Sequence, residues 1–539
     1  MRSDRAKTIF RNGFLWTGID GPRDATALAV TDGRITAVGA NDDVLALRGP
    51  DTDVVDLAGQ TLIPGFVDAH AHIWKIGHLL TTLLDVRGAT SLADVAARLR
   101  AHAGRFPPGT WLQGRGYNEA RFSDGRAPTR ADLDAAVSDR PVVLMRTCAH
   151  IVVCNSRALE GAGIGRDTAA PAGGEIDRGP DGEPTGVLRE TAMGLVLRQI
   201  PQPTQDEYAA MITAALRHQL SLGITSTTDA GVAPELLDTY RRIDGEGRLP
   251  VRINVMALRL VDGVGPVPLP ARRHHSDRLR IDTVKFFADG GLSGATAALS
   301  VPYRHADTRG NLRVQYDELL ALAREAHDAG WRIATHAIGD TAIDLVLRVY
   351  EACGRGPKRH RIEHFGLPTA DQLARAARAG VIGVPQTVFV HALGRNFRHY
   401  LPDALLARAY PVRAMLDAGV TVALSSDAPV VEDDSPLRGM QAAVLRRDAD
   451  GEAIAPAEAI SIDEALDAYT RGGAVASGDD ADRGHLRPGM QADLAVLSGD
   501  PRATPPEALT ALRVTQTWVG GQQVYEDAAL SGPTTGARR

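Results

Sequence analysis

Cysteine is scarce in this chain, with only Cys148, Cys154 and Cys353 among 539 residues. They form no Cys-x-x-Cys pair and no disulfide framework, which excludes a disulfide-stapled secreted domain and fits a reducing compartment. No stretch approaches the ~20 apolar residues of a membrane span, and the N-terminal residues lack the apolar segment of a signal peptide. We therefore predict a cytoplasmic protein with no membrane partner.

An excess of one charge is also absent. The formal net charge is -6 and the sequence pI is about 6.3, so the composition does not favour binding to nucleic acid or to an acidic lipid surface. Lysine is rare and occurs only at Lys7, Lys75, Lys285 and Lys358. With 44% hydrophobic residues, a chain of this length can bury a large core in more than one domain.

Both ends of the chain carry short β-strand patterns. Residues 1–60 alternate apolar and polar positions around an Asp32-Gly33 turn, and residues 481–539 do so around Gly520-Gly521. Each end has too few strands to be stable alone, so we predict that the two ends pair into one small β-sandwich. Residues 74–200 are too many for a loop and are predicted to form an insertion subdomain.

Between these segments, short apolar strands alternate with amphipathic helices that end in glycine. The alternation begins with a strand at residues 61–73 and continues through residues 201–480, which gives eight strands in all. This pattern predicts a parallel α/β fold, and eight strands predict a (β/α)8 TIM barrel. A doubly wound open sheet is the structural alternative, which is disfavoured because no Gly-x-Gly-x-x-Gly follows any strand.

The first of these strands ends in the sequence GFVDAHAH, with His70 and His72 two residues apart. Residues i and i+2 of a strand lie on one face, so both imidazoles point the same way. Two convergent imidazoles suit a divalent metal such as zinc. Two surface histidines after a buried strand are the ordinary alternative for this motif taken by itself.

Further candidate ligands stand at the ends of later strands: Lys285, His336, His364 and Asp427. Taken singly, each has an ordinary explanation as a snorkelling lysine, a satisfied core histidine or a turn aspartate. In one barrel, however, the carboxyl ends of all strands surround a common centre, where active sites form. Their joint occurrence therefore predicts a metal site.

Lys285 would be an unfavourable neighbour for metal ions as long as it carried an ammonium group. A buried lysine loses its charge readily, and a neutral amine can take up carbon dioxide to form an anionic carbamate. The two oxygens of a carbamate could bridge two metals. We therefore predict a lysine carbamate at Lys285.

Together these motifs resemble the amidohydrolase superfamily of metal-dependent hydrolases. The resemblance is strongest to its YtcJ-like branch, amidohydrolase family 3, which includes N-substituted formamide deformylases. It runs nearly end to end, through the stretches GFVDAHAH, CNSRALEGAGI, GEPTGVLRE, VKFFADGG, HAIGD, RIEH, SSDAPV and GHLRPGMQADLAVL. It is the set of motifs, rather than any single one, that is specific.

The resemblance implies a binuclear site that usually holds two Zn²⁺ ions. It assigns one ion to His70, His72 and Asp427, the second to His336 and His364, and the bridging position to carboxylated Lys285. A bridging hydroxide would attack the carbonyl of an amide or related C–N bond, of N-acyl or N-formyl type, in a small organic molecule. Asp427 would be the catalytic acid–base, taking the proton and passing it to the leaving amine.

The chain departs from the family pattern at positions that we expect to face the substrate. Many relatives carry Asp-Gly-His where this chain has Thr147-Cys148-Ala149-His150, and the glycine-serine-leucine-glycine run is replaced from Gly291 to Ala295. After the seventh strand the chain reads PQTVFVHA in place of the usual Gln-Pro with a nearby histidine. We predict substrate contacts at the candidate positions His150, Asn155, Asp289 and His391.

Two alternative functions remain open. A mononuclear deaminase of the same superfamily typically carries His-x-x-Glu after the fifth strand, whereas the third residue after His336 is Gly339. A non-catalytic barrel acting as a scaffold predicts lost ligands, and no expected ligand is lost. A homodimer is the assembly expected from the family, and the sequence does not identify the substrate.

Overall fold

The computed structural model describes residues 5–146, 151–171, 173–261, 265–304, 307–356 and 358–529. The chain forms two compact units, of which the first combines Met1–Ile73 with Ala215–Arg539 and the second is Trp74–Ala214. The first unit holds the central parallel sheet and the strands of both chain ends. The second unit occupies the region predicted as an insertion.

The first unit is built on a curled sheet of eight parallel strands that follow one another in chain order. The strands are β1 Phe66–Ala71, β2 Ile224–Val232, β3 Arg252–Leu258, β4 Leu279–Phe287, β5 Arg332–Ala337, β6 Arg361–His364, β7 Ile382–Val384 and β8 Thr421–Val422. Most positions in these strands are buried on both sides, which explains why they read as apolar runs rather than alternating patterns. A short strand at His274–His275 pairs antiparallel with β4.

The two edges of this sheet approach each other at their carboxyl ends. The Asp427 N–H donates to the His70 carbonyl at 2.8 Å, and the His72 N–H donates to the Ala428 carbonyl at 2.8 Å. The described residues form no strand ladder between β1 and β8. The α/β class and the parallel strand order are therefore confirmed, while complete closure into a (β/α)8 barrel stays a prediction.

Helices connect most successive strands of the sheet. They are α1 Gln205–Ser221, α2 Pro234–Gly245, α3 Tyr316–Asp328, α4 Asp340–Cys353, α5 Ala370–Ala379 and α6 Val388–Tyr400. Further helices lie at Asp403–Leu406, Val412–Asp417, Pro436–Leu445, Ile462–Asp467 and Gly473–Ser477. Local sequence sets their limits: α5 begins at a capping box of Thr369 and Gln372 and ends at Gly380, whose φ of 69° is left-handed. Within the described ranges, no helix combines the length and apolar character needed to cross a bilayer.

Both chain ends contribute strands to the first unit. One sheet of five strands joins Phe14–Leu15 and Thr61–Pro64 to Leu494–Leu497, Val514–Val519 and Gln522–Glu526. A second sheet of four strands contains Ala6–Arg11, Ala27–Thr31, Arg34–Gly39 and Arg48–Asp56. The two sheets share an apolar core that includes Phe10, Leu28, Leu62, Val496 and Trp518. Strands from the two ends thus pair in one sheet, and the β-sandwich arrangement stays a prediction.

The second unit has its own sheet and its own core. Six strands form the sheet, at Leu84–Asp85, Leu112–Tyr117, Val142–Arg146, Ile151–Cys154, Gly174–Arg178 and Pro184–Glu190. Its helices include Leu92–Ala103, Arg130–Ala136 and Ser156–Gly161. The core includes Val95, Leu99, Leu112 and Leu144. This compact unit runs from Trp74 to Ala214, and the insertion boundary near residue 200 stays a prediction.

Candidate metal centre

His70 in β1 and His72 just after it lie next to Asp427, which follows β8. The Nε2 atoms of His72 and His70 are 3.2 Å and 3.5 Å from Asp427 Oδ1. One ligand atom from each of the three residues lies within 4.8 Å of the others. Two imidazoles and a carboxylate at this spacing suit zinc. The residues predicted to hold the first ion therefore form a candidate metal-binding triad.

The chemistry of this triad fits a bound cation. Asp427 Oδ1 is buried and has no hydrogen bond of acceptable geometry, an arrangement that is costly unless another partner is supplied. Burial alone would raise the pKa of Asp427, but the imidazoles of His70, His72 and His364 hold it well below its ordinary value, so the group stays anionic. Burial lowers the pKa of His70 to about 4, which keeps its imidazole neutral, as metal binding requires.

His336 and His364, the residues predicted to hold a second ion, lie beside the triad. Their ring centroids are 4.3 Å apart, and the ring of His364 is 5.0 Å from that of His70. His336 Nε2 donates to the Gly290 carbonyl at 3.0 Å, and His364 Nδ1 donates to Gln386 Oε1 at 2.7 Å. Since a carbonyl oxygen can only accept, the bonded nitrogen of each ring carries a proton, and the other ring nitrogen is the one available to bind a cation.

The backbone at two of these residues is strained. His364 has φ 69° and Asp427 has φ 54°, both in the left-handed region that non-glycine residues seldom adopt. Such conformations concentrate at functional sites, where surrounding contacts hold them in place. One such contact is Asp68, whose Oδ1 accepts from the N–H groups of His70 and Ser426 and so ties β1 to the segment before Asp427.

Lys285 lies in β4 and is only 1% exposed. Its Nζ has no hydrogen-bond partner among the described residues and lies 5.0 Å from the centroid of the Phe287 ring. Burial lowers the pKa of Lys285 to about 8, although the carboxylates of Glu363 and Asp427 oppose this shift. The centre thus contains a buried amine without a partner, which is the environment that the carbamate hypothesis requires.

A buried ion pair in β6 stands behind His70. Arg361 Nε donates to Glu363 Oε1 at 2.7 Å, and Arg361 Nη2 donates to Glu363 Oε2 at 2.9 Å. The same Oε2 lies 2.5 Å from His70 Nδ1. Arg361 and His70 hold the pKa of Glu363 well below its usual range although burial opposes this, so the group is an ionised acceptor. His70 Nδ1 therefore carries the proton, and Nε2 presents its lone pair toward Asp427.

Replacing Glu363 with glutamine is expected to weaken zinc binding about 10- to 100-fold. The neutral amide does not enforce the same tautomer on His70, and it leaves the Arg361 guanidinium buried without a counter-charge. Zinc affinity can be measured by competition with a chromophoric chelator, and circular dichroism checks the fold. Glu351→Gln is the control, since it neutralises a partly exposed partner of Arg375 and should leave zinc affinity unchanged. Equal zinc affinity in Glu363→Gln and the parent protein would contradict this role.

Asn155, predicted to contact the substrate, forms hydrogen bonds to backbone groups of the second unit. It is 0% exposed and caps the helix Ser156–Gly161. Its Oδ1 accepts from two backbone N–H groups and its Nδ2 donates to two backbone carbonyls, at distances of 2.9 to 3.0 Å. These four hydrogen bonds use the donors and acceptor of the amide within the second unit, so the structure does not support a substrate contact.

The carboxylate of Asp289 also accepts hydrogen bonds from backbone N–H groups. It is 0% exposed, and its two oxygens accept from the N–H groups of Ala298, Ile338 and Gly339 at 2.8 to 3.0 Å. Its Oδ1 lies 3.4 Å from His336 Nε2. Asp289 therefore fixes the backbone that follows β5 beside His336, and its substrate contact stays a prediction.

The remaining substrate candidates gain no support from the cavity lining. His150 lies outside the described residues. His391 is on α6, but the described residues that line the cavity over the candidate ligands do not include it. Its helix neighbours Phe389 and Leu393 line that cavity instead.

The cavity over the candidate ligands has a volume of about 260 Å³. Its walls are mainly apolar, formed by Phe287, Leu292, Ile338, Phe389, Leu393, Phe397, Tyr410 and Val430, and Ser293 and Arg313 add polar groups. Phe389, Leu393 and Phe397 are spaced by four residues and so share one face of α6. The cavity suits a small molecule that places an apolar group beside the triad.

Comparison with known proteins gives a consistent family assignment. The profile of the "Amidohydrolase family" matches residues 53–525. The chain is 33% identical over 533 residues to "Putative amidohydrolase YtcJ" of Bacillus subtilis (strain 168), covering 96% of this chain and 99% of that protein. It is 31% identical over 525 residues to the N-substituted formamide deformylase of Arthrobacter pascens, covering 93% of this chain and 95% of that protein.

A solved structure resembles the whole chain as well. It is the crystal structure of an uncharacterized metal-dependent hydrolase from Pyrococcus horikoshii OT3, with a TM-score of 0.77 and 27% sequence identity. The match covers 93% of this chain and 99% of that protein.

Proposed function

The chain belongs to the amidohydrolase family, and on that premise we propose that it hydrolyses an amide or related C–N bond of a small organic molecule. The observation that carries the proposal is the meeting of His70, His72 and Asp427, with the buried Asp427 Oδ1 left without a hydrogen bond. Membership in the amidohydrolase family supports metal-dependent hydrolysis, and so does a ligand set of two imidazoles and one carboxylate.

The proposed cleavage of an amide-type C–N bond is supported by the name of a related protein. The Arthrobacter pascens protein is named as an N-substituted formamide deformylase, and it covers nearly all of this chain. We therefore place the substrate among N-acyl and N-formyl compounds. The apolar wall of Phe389, Leu393 and Phe397 favours a hydrophobic substituent on the carbonyl or nitrogen side of that bond.

We further propose two divalent ions, with zinc as the first choice. His70, His72 and Asp427 would hold one ion, and His336 and His364, which each use only one ring nitrogen in these hydrogen bonds, would hold the second. Carboxylated Lys285 would stand between them. When bound, such ions supply a nucleophile from water at neutral pH and polarise the substrate carbonyl.

Asp427 is the proposed acid–base of this reaction. Its carboxylate is anionic at neutral pH, because the surrounding imidazoles hold its pKa low. Asp427 lines the cavity, and its buried Oδ1 has no hydrogen-bond partner among the described residues, so it can accept a proton and give it to the departing amine. The apolar walls limit the water around this transfer, which strengthens electrostatic effects in the cavity.

Metal removal and reconstitution provide the test of the proposed function. The reconstituted protein is expected to bind about two zinc ions per chain and to release amine from N-formyl or N-acyl substrates, whereas chelation should abolish turnover. Elemental analysis and an amine-specific assay measure the two quantities. Full activity with one tightly bound ion would favour the mononuclear deaminase alternative, and metal loading without hydrolysis across N-acyl, formamide, carbamate and lactone panels would contradict the proposal.

A further inference from the structure

The second unit contains a cavity of its own, separate in sequence from the candidate metal centre. Its volume is about 300 Å³, within the range of small-molecule sites. All of its lining residues belong to the second unit. The cationic lining residues are Arg87, Arg115 and Arg146, and the described lining includes no aspartate or glutamate.

Two of these arginines are held in place by carboxylates. Arg87 donates from Nε and Nη2 to Asp85, with the shortest contact at 2.6 Å. Arg146 donates from Nε and Nη2 to Glu119, with the shortest contact at 2.8 Å. Paired arginines of this kind keep a fixed geometry. Their positive charge compensates the negative charge of the carboxylates that bind them.

Arg115 has no such partner. It is half-buried in the strand Leu112–Tyr117, and its register partner in the neighbouring strand is Asp85, which is already paired with Arg87. Burial and the positive charge of Arg87 lower the pKa of Arg115, whereas the carboxylate of Asp85 opposes this shift. One carboxylate thus lies near two guanidinium groups, so a further anion beside Arg115 would be favourable.

The backbone brings Arg87 close to this strand. Gly116 follows Arg115 and has φ 92°, and a Cβ at Gly116 would lie 2.2 Å from Arg87 Cγ. Only glycine permits both the conformation and the approach. Glycine at position 116 therefore allows Arg87 to lie close to the strand that carries Arg115.

The cavity also has apolar lining residues. They are Leu83, Val143, Met145, Val152 and Leu197, and Met145 lies beside Arg115 in the neighbouring strand. A ligand that matches both kinds of lining needs one negative group and a hydrophobic body. Guanidinium groups bind carboxylates through paired hydrogen bonds, and the flexible methionine adapts to ligands of different shape.

We propose that this cavity binds a small organic carboxylate, with its carboxylate on Arg115 and its hydrophobic body against Met145, Val152 and Leu197. The site is distinct from the proposed hydrolytic centre in the residues that form it. The proposal does not depend on the reaction catalysed there.

Calorimetric titration of the full zinc-loaded chain tests the proposal, with phenylacetate as the probe. Phenylacetamide has the same body without the charge, and acetate has the charge without the body. We expect phenylacetate to bind at least about tenfold more tightly than either. Arg115→Gln should remove most of this preference, and Arg115→Lys should keep part of it. Arg157→Gln is the control, because Arg157 is an exposed arginine of the same unit that pairs with Glu160.

A second titration after chelation separates this site from carboxylate binding to metal ions. Binding to the cavity should persist in the metal-stripped chain and still depend on Arg115. Equal affinity for phenylacetate and phenylacetamide, an unchanged preference in Arg115→Gln, or loss of all binding on chelation would each overturn the proposal. Zinc content and amide hydrolysis are measured separately on the same variants, so failure here is distinguishable from failure of the proposed function.

Discussion

Asp427→Asn is expected to lower kcat by at least about 10²- to 10⁴-fold while the protein remains folded. The amide is nearly isosteric with the carboxylate, so the packing around this 5%-exposed residue is kept. It cannot accept a proton as a carboxylate does, and it is a weaker ligand for a divalent cation. Both losses act on the same atom, Oδ1, which is 3.2 Å from His72 Nε2 and has no hydrogen bond of its own.

The matched control for this variant is Asp467→Asn. Asp467 is 7% exposed and pairs with Arg471, and it does not line the cavity over the candidate ligands. The control removes one buried negative charge without touching the triad, so its kcat should stay close to that of the parent. Kinetics at saturating substrate and zinc content of both variants complete the comparison. Near-parental turnover in a zinc-loaded Asp427→Asn protein would remove Asp427 from the proposed mechanism.

The strand ends were accessible from sequence because parallel strands impose a simple rule. Each buried strand reads as an apolar run, and the residue after it stands at a common edge of the sheet. His70, His72 and Asp427 follow this rule and meet in the structure. Their distance along the chain does not matter, since the curled sheet brings its two edge strands, β1 and β8, together at their carboxyl ends.

The residues that support the ligands were harder to identify. Arg361 and Glu363 are charged residues inside a buried strand, and in sequence they read as an interruption of the apolar pattern. Their pairing with each other and with His70 depends on which strands are neighbours and on side-chain direction. The sequence shows Arg361 and Glu363 as opposite charges at i and i+2, which places them on one face of the strand. Their contact with His70 could be inferred only once the position of β1 was known.

The substrate candidates Asn155 and Asp289 show what a sequence pattern leaves undecided. Asn155 and Asp289 are polar residues next to apolar stretches, and such residues are often assigned to binding sites. Both are instead used to satisfy backbone N–H groups that the fold buries at chain reversals. A sequence pattern does not distinguish a polar side chain that serves the backbone from one that faces a ligand, because both positions interrupt a hydrophobic run.

Lys285→Met is expected to lower zinc content from about two ions per chain to about one and to remove most activity. The proposed reason is that Lys285 supplies a bridging carboxylate as a carbamate. An unmodified ammonium at this 1%-exposed position would lie without a hydrogen bond among candidate metal ligands, and an uncompensated buried charge costs on the order of several kcal/mol. Methionine preserves the length and packing of the side chain while removing the amine.

The modification itself can be detected independently of activity. Zinc reconstitution in ¹³C-labelled bicarbonate should give a carbamate carbon signal in the parent protein and none in Lys285→Met. Lys358→Met is the control, because Lys358 is half-buried but already paired with Asp282 at 2.7 Å, and it should keep both the signal and the zinc content. In Lys285→Ala, acetate or propionate can occupy the space of the missing group and should restore part of the second ion and part of the turnover. Two zinc ions and full turnover in the absence of a carbamate signal would show that Lys285 remains an amine, and the ligand set would then have to bind both ions through the histidines and Asp427 alone.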